Sequence, residues 1–208
     1  MEYSFHIYNK LAPDGVMMAT DRILLSVLSK KGKKTGAGMD VLEKVTPNLA
    51  PPVVVCVGSD LAIGDSLGPI TGSMLRYKTQ GLNVFLYGTL SSPVTAKEIP
   101  YMRTFLKETH PKSPIIAIDA AVGEEGDIGL IKLNDYPLKP GAGANKKLGA
   151  IGDLSVLGIV AEKSVSNYGL LNTTRLNLVY TMSEIISEGV STLLWERYGK
   201  NGVRTKNA

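Results

Sequence analysis

Val53-Val54-Val55-Cys56-Val57, followed by Gly58-Ser59-Asp60, is the stretch on which the fold turns. An unbroken apolar run rich in β-branched residues has no wet face, so the strand it forms is covered on both sides. Strands of that kind belong to mainly parallel sheets layered between helices. Outward from it, strand and helix signals alternate. Ser66–Tyr77 reads as a helix, with Asp65 placed to cap it and Leu67, Ile70, Met74 and Leu75 on one side. Asn83–Tyr87 is a second strand, and Ser92-Pro93 carries a helix-start signal for a helix reaching Glu108. Ile115–Ile118 is a third strand, Ile128–Leu133 a fourth and Ser155–Val160 a fifth. A long helix from Leu170 to Tyr198 ends the domain, with Gly189 as a candidate break. Strand–helix–strand order implies right-handed crossovers. The expected architecture is α/β, a three-layer α/β/α sandwich over residues 51–200.

Upstream, residues 1–50 read as an appendage. Met17–Leu28 has helical apolar spacing, with Asp14 or Gly15 to open it, and the polar run from Ser29 to Gly38 stops it. Residues 201–208 read as a flexible basic tail. Aromatics make up only 6% of the 208 residues, so the core is expected to be Val, Ile, Leu and Ala.

The net charge of +4 is concentrated in Lys30-Lys31-Gly32-Lys33-Lys34 and in Arg204-Thr205-Lys206. No aromatic residues are interleaved there to stack on bases, so nucleic acid is not an expected partner. The single cysteine, Cys56, lies within the strand run and reads as a buried hydrophobe, which leaves no intrachain disulfide. No apolar run approaches the roughly 18 residues of a membrane span. The first residues lack the basic-then-apolar order of a signal peptide, so a cytoplasmic location is expected.

Open parallel sheets bind ligands beyond the carboxyl ends of strands, where strand order reverses. Under the commonest winding the reversal lies between the first and third strands. Gly58–Pro69 and Asp119–Gly123 follow those two ends, and each carries a carboxylate, Asp65 and Asp119. Two carboxylates in one cleft resist double ionisation, so one can act as base while the other donates a proton. Asp119 is the better candidate for the base, with the reverse assignment open. The same pair could instead hold a divalent ion, and Asp65 taken alone could serve simply as a helix cap. Asp60 shapes the loop between Gly58 and Gly64 and, ranked behind that role, is a substrate-binding candidate.

The segment Pro140-Gly141-Ala142-Gly143-Ala144-Asn145-Lys146-Lys147 is either a surface turn or a cradle for an anionic group, with Gly141, Gly143, Asn145 and Lys146 as substrate-binding candidates. It matches neither a P-loop nor a dinucleotide turn. Asp153 ranks behind Asp65 and Asp119. The two histidines, His6 and His110, sit in positions that support no Ser-His-Asp or Cys-His site, and zinc-ligand spacings are absent. No metal or other cofactor is assigned.

These segments, together with Ile116-Ala117-Ile118-Asp119-Ala120 and Asn172-Thr173-Thr174-Arg175-Leu176, resemble the YyaC family of sporulation proteins. That family is in turn similar to the germination protease of spore-forming bacteria and to hydrogenase maturation endopeptidases. The resemblance spans residues 53–180 and implies a phosphorylase/hydrolase-like fold. It implies a peptidase acting on small acid-soluble spore proteins in the mother cell or forespore, with important aspartates at Asp65 and Asp119. It also makes self-association compatible with function. A non-catalytic sporulation protein that binds a partner through the same cleft is the rival. The nickel-dependent chemistry of the maturation enzymes is disfavoured, because Ser66 stands where their Glu would be and residues 140–155 contain no histidine.

Overall fold

The computed structural model describes residues 1–34, 50–141, 148–163 and 174–199, with the backbone alone for 31–34. Along the chain lie β1 (Glu2–His6), α1 (Ala12–Lys34), β2 (Val53–Cys56), α2 (Leu67–Lys78), β3 (Phe85–Tyr87), α3 (Ile99–Thr109), β4 (Ile115–Gly123), β5 (Leu130–Asn134), β6 (Leu154–Glu162) and α4 (Leu176–Tyr198). The six strands form one sheet in the order β1-β5-β6-β4-β2-β3. The run β3-β2-β4-β6 is parallel, and β5 and β1 extend it antiparallel.

The valine run is covered on both faces, as its composition requires. Val54 and Cys56 join Ile116, Ile118, Leu133 and Val156 under α1, α2 and α4. Val53, Val55 and Ala117 face Ile99, Met102 and Leu106 of α3, closed off by Leu138 and Ile151. Fully burying a valine is worth about 1.5 kcal/mol or more relative to exposure, so β2 alone contributes several kcal/mol. The result is the expected three-layer α/β/α sandwich. Cys56 is fully buried, and burial pushes its thiol far up, so it behaves as a small hydrophobe. No helix among the described residues is long and apolar enough to cross a membrane.

The first 34 residues are not attached beside this sandwich but built into it. β1 lies along β5 from Glu2–Asn134 to His6–Leu130. Ala12, Val16, Ala19, Ile23 and Leu24 of α1 are part of the larger core. Asn9 starts the helix: its Oδ1 accepts from Leu11 N–H at 3.0 Å and its carbonyl from Ala12 N–H at 2.9 Å. Residues 35–49 and 201–208 lie outside the described residues.

α4 runs unbroken through Gly189. A Cβ there would lie 2.6 Å from the carbonyl oxygen of Pro13 and 2.8 Å from Cβ of Val16, so the glycine marks where α1 crosses closest. The Arg197 guanidinium closes the same contact with two bonds to Asp21, at 2.8 and 2.7 Å. At an exposed helix position Gly→Ala stabilises by about 1 kcal/mol. Here the sign should reverse. Gly189→Ala is expected to destabilise by about 1–3 kcal/mol through overpacking, read as a lower urea midpoint at constant slope.

Two more local expectations give way to tertiary pairing. Ser92-Pro93 does not open α3. Thr89 and Ser92 bridge each other, and Val94 pairs with Val57 while its carbonyl accepts from Gly58 N–H at 3.0 Å. The chain then turns through Thr95–Glu98, where the Glu98 carboxylate accepts from Thr95 N–H at 3.0 Å, and the helix starts with Pro100 in its first turn. The third strand also continues beyond Ile118 to Gly123, because β6 supplies a ladder past the point where β2 stops.

Candidate active site

From β2 the chain moves outward to β3 and then returns to the other side of β2 as β4. Strand order therefore reverses between β2 and β4, the position where open α/β sheets bind ligands. The β2–β4 register ends at Cys56–Ile118, with one more bond from Val57 N–H to the carbonyl of Ile118 at 2.7 Å. Asp119 is the next residue on β4, at the mouth of the opening left where β2 leaves the sheet. Its side chain shares the parity of Ile115 and Ala117, which places it on the α3 face.

Asp65 is brought to the same place by the loop that leaves β2. Gly58 has φ +139°, and a Cβ on it would lie 2.1 Å from the carbonyl oxygen of Asp65. That close return lets Ser59 N–H donate to Asp65 O at 3.2 Å, while Asp65 N–H donates to Ala62 O at 2.9 Å. The loop ends in a 3-10 turn, Gly64–Ser66, that runs directly into α2. Asp65 is therefore not the helix cap. The capping position of α2 is Ser66, in helical geometry, without a side-chain capping bond.

The two carboxylates sense each other. Asp119 is 7% exposed. Burial first, and then the charge of Asp65, hold its carboxyl well above the usual range, opposed by Ala120 N–H, which donates to Oδ1 at 2.9 Å. A buried carboxyl that favours its protonated form, set beside a half-buried second one, is an arrangement in which acid and base roles can divide between two carboxylates.

The remaining sequence candidates are placed differently. Asp60 is exposed on the loop that leaves β2. Asp153 does not reach this face. It lies where β4 and β6 begin, its carboxylate accepting from Ile115 N–H at 2.9 Å and its own N–H donating to Ile115 O at 2.8 Å. Gly141, with φ +70°, lies three residues after Leu138, which bridges Ile151 at that same far end. Gly143, Asn145 and Lys146 lie outside the described residues. His110 is packed against Phe85 and Phe105 with Nε2 2.8 Å from Tyr87 Oη, away from the carboxylates. Among the described residues no group of three or more His, Cys, Asp or Glu is placed to hold a metal ion.

One feature of the site escapes the sequence pattern. Leu61 is 92% exposed and Ile63 39% exposed, both on the short loop between Asp60 and Asp65. Apolar residues inside a glycine-bounded loop are the available signal, since a solvent-facing turn ordinarily carries polar side chains.

Comparison with known proteins agrees with the sequence pattern. Residues 30–189 match the family described as "Protein of unknown function (DUF1256)". The chain is 42% identical over 141 residues to the "Uncharacterized protein YyaC" of Bacillus subtilis (strain 168), with 68% of each chain covered. Among solved structures it is similar to the NiFe hydrogenase maturation protease HycI from Thermococcus kodakarensis KOD1. That likeness has 18% identity and a TM-score of 0.45, and covers 74% of this chain and 98% of that one. With the family match spanning most of its length, this chain belongs to the DUF1256 family and is a relative of YyaC.

Proposed function

We propose that this protein is a peptidase-like hydrolase of sporulation in which Asp65 and Asp119 activate water against a peptide bond. The observation that carries this reading is a buried carboxyl, Asp119, set at the strand-order reversal beside the charge of a second one, Asp65. The roles are assigned in the reverse of the order favoured from sequence, with buried Asp119 as the acid because burial and the charge of Asp65 push its carboxyl up. Asp65, as the base, takes a proton from water as the water oxygen bonds to the amide carbon. Asp119 gives its proton to the carbonyl oxygen. As the resulting diol collapses, the proton on Asp65 passes to the departing nitrogen, the C–N bond breaks and Asp119 recovers its proton. Leu61 and Ile63 offer apolar contact to an extended substrate. The resemblance to germination protease names the candidate substrates, small acid-soluble spore proteins in the forespore or mother cell.

The test is cleavage of those proteins by the purified full chain, by Asp65→Asn and by Asp119→Asn, in chelator-treated and metal-supplemented buffers. Loss of about 10²–10⁴-fold in each variant, with cleavage retained in chelator, is the expected result. Cleavage abolished by chelator and restored by a divalent ion would replace the proton-sharing pair with metal-assisted hydrolysis. Binding of the spore proteins without cleavage under any condition would sink the enzyme reading in favour of a non-catalytic partner protein.

A further inference from the structure

At the end of the sheet opposite Asp119, α3 and the segment leading into β6 flank an open, solvent-facing cavity of about 480 Å³. This is within the range of small-molecule sites, and nothing in the proposed hydrolysis uses it. Leu106, Ile115 and Ile151 give it an apolar floor, and Arg103 and Lys107 stand on one wall. These two cations are four residues apart on α3 and so share one face of the helix. Among the described residues neither makes an ion pair or a side-chain hydrogen bond, and no carboxylate lines the cavity. Asp153, next in the chain after the lining residue Gly152, is turned onto Ile115 N–H.

Arg103 is placed rather than loose. Gly149, with φ +82°, lets the guanidinium lie against its backbone: a Cβ there would be 2.3 Å from one terminal nitrogen and 2.7 Å from Cζ. Ala150 and Gly152 line the same cavity, and their N–H groups make no hydrogen bond to a described residue. His110 forms another part of the wall, held by Tyr87. A guanidinium fork and a second cation beside an apolar floor match an oxyanion joined to an apolar body.

We propose that this cavity is a second site, independent of the carboxylate pair, that binds a small organic phosphate through Arg103 and Lys107 with its apolar part on Leu106 and Ile151. The fork geometry of arginine suits a phosphate, and two cations suit a dianion.

Titration calorimetry of the full chain at fixed ionic strength, with phenyl phosphate, inorganic phosphate and phenol as probes, tests this. Phenyl phosphate should bind saturably and about tenfold more tightly than inorganic phosphate, and phenol should not bind measurably. Arg103→Gln and Lys107→Gln, both at exposed helix positions, should keep the melting temperature and weaken phenyl phosphate binding by about tenfold or more. Amide NMR shifts confined to Ala150 and Gly152 and their neighbours would place the probe. No saturation up to about 10 mM, or equal affinity in wild type and both variants, would overturn the site. Equal affinity for the two phosphates would overturn its apolar half. Because neither variant touches Asp65 or Asp119, this outcome is separate from that of the cleavage test.

Discussion

Asp119→Asn is expected to raise the melting temperature at pH 7 and to leave it near the wild-type value at pH 3. The native carboxyl sits well above its ordinary range because it is buried, and because Asp65 adds its charge. In the unfolded chain the same group titrates near pH 4. Between those two values the native state holds a proton that the unfolded state has lost, so stability falls as pH rises through that window. The penalty is about 1.4 kcal/mol for each pH unit of the difference, and it is absent below the unfolded value, where both states are protonated. Asparagine copies the neutral form and retains the oxygen that accepts from Ala120 N–H, so it removes the penalty without opening a cavity. Each kcal/mol recovered corresponds to about 2–4 °C for a chain of this size. Asp65→Asn should recover part of the same stability by removing the neighbouring charge. The double variant should then gain less than the sum, since the two groups act on one another. Urea or thermal unfolding at pH 3, 5 and 7 reads all of this. A lower stability of Asp119→Asn at pH 7 would show that the carboxyl is ionised and satisfied, and the proton-sharing scheme would go with it.

Gly68→Ala should disrupt the fold more severely than any other conservative change described above. A Cβ on Gly68 would lie 1.9 Å from the carbonyl oxygen of Val57, 2.7 Å from its carbonyl carbon and 2.9 Å from its nitrogen. These are backbone atoms at the end of β2, and no side-chain rotation relieves the clash. The first turn of α2 would have to lift away, taking fully buried Leu67 with it and displacing the adjacent turn that carries Asp65. A loss on the order of 3 kcal/mol or more is expected, against the usual gain from alanine in a helix. Gly126→Ala is the control, because a Cβ there meets nothing within 4 Å. Urea unfolding of both separates crowding from propensity: a Gly68→Ala midpoint close to wild type would mean that α2 can ride higher on the strand than the structure shows.

The positions of Asp65 and Asp119 are legible in the amino-acid sequence because both depend on local pattern plus winding. An all-apolar strand must be central, and the residues after the ends of two such strands meet wherever strand order reverses. Asp153 shows the limit of that logic. It too borders a strand, but before rather than after it, and the ladder gives its carboxylate to Ile115 N–H at the far end. The Pro-Gly-x-Gly segment reads as part of the site, yet its described portion lies just after Leu138, which bridges Ile151 at that far end.

The alternation of apolar runs and helical stripes determined the sandwich, the burial of Cys56 and the two strand ends that carry carboxylates, because each depends on residues close in the chain. Tertiary structure decided the rest. Glu2–His6 has no visible partner until Leu130–Asn134 folds beside it. Ala120–Gly123 becomes strand only because β6 lies alongside, and Ser92-Pro93 loses its helix-start role to the pairing of Val94 with Val57. The upward shift of the Asp119 carboxyl also belongs to this second group. An aspartate ordinarily ionises near pH 4, and it is the packing of β4 under α3, with Asp65 brought alongside, that removes the water an ionised carboxylate needs.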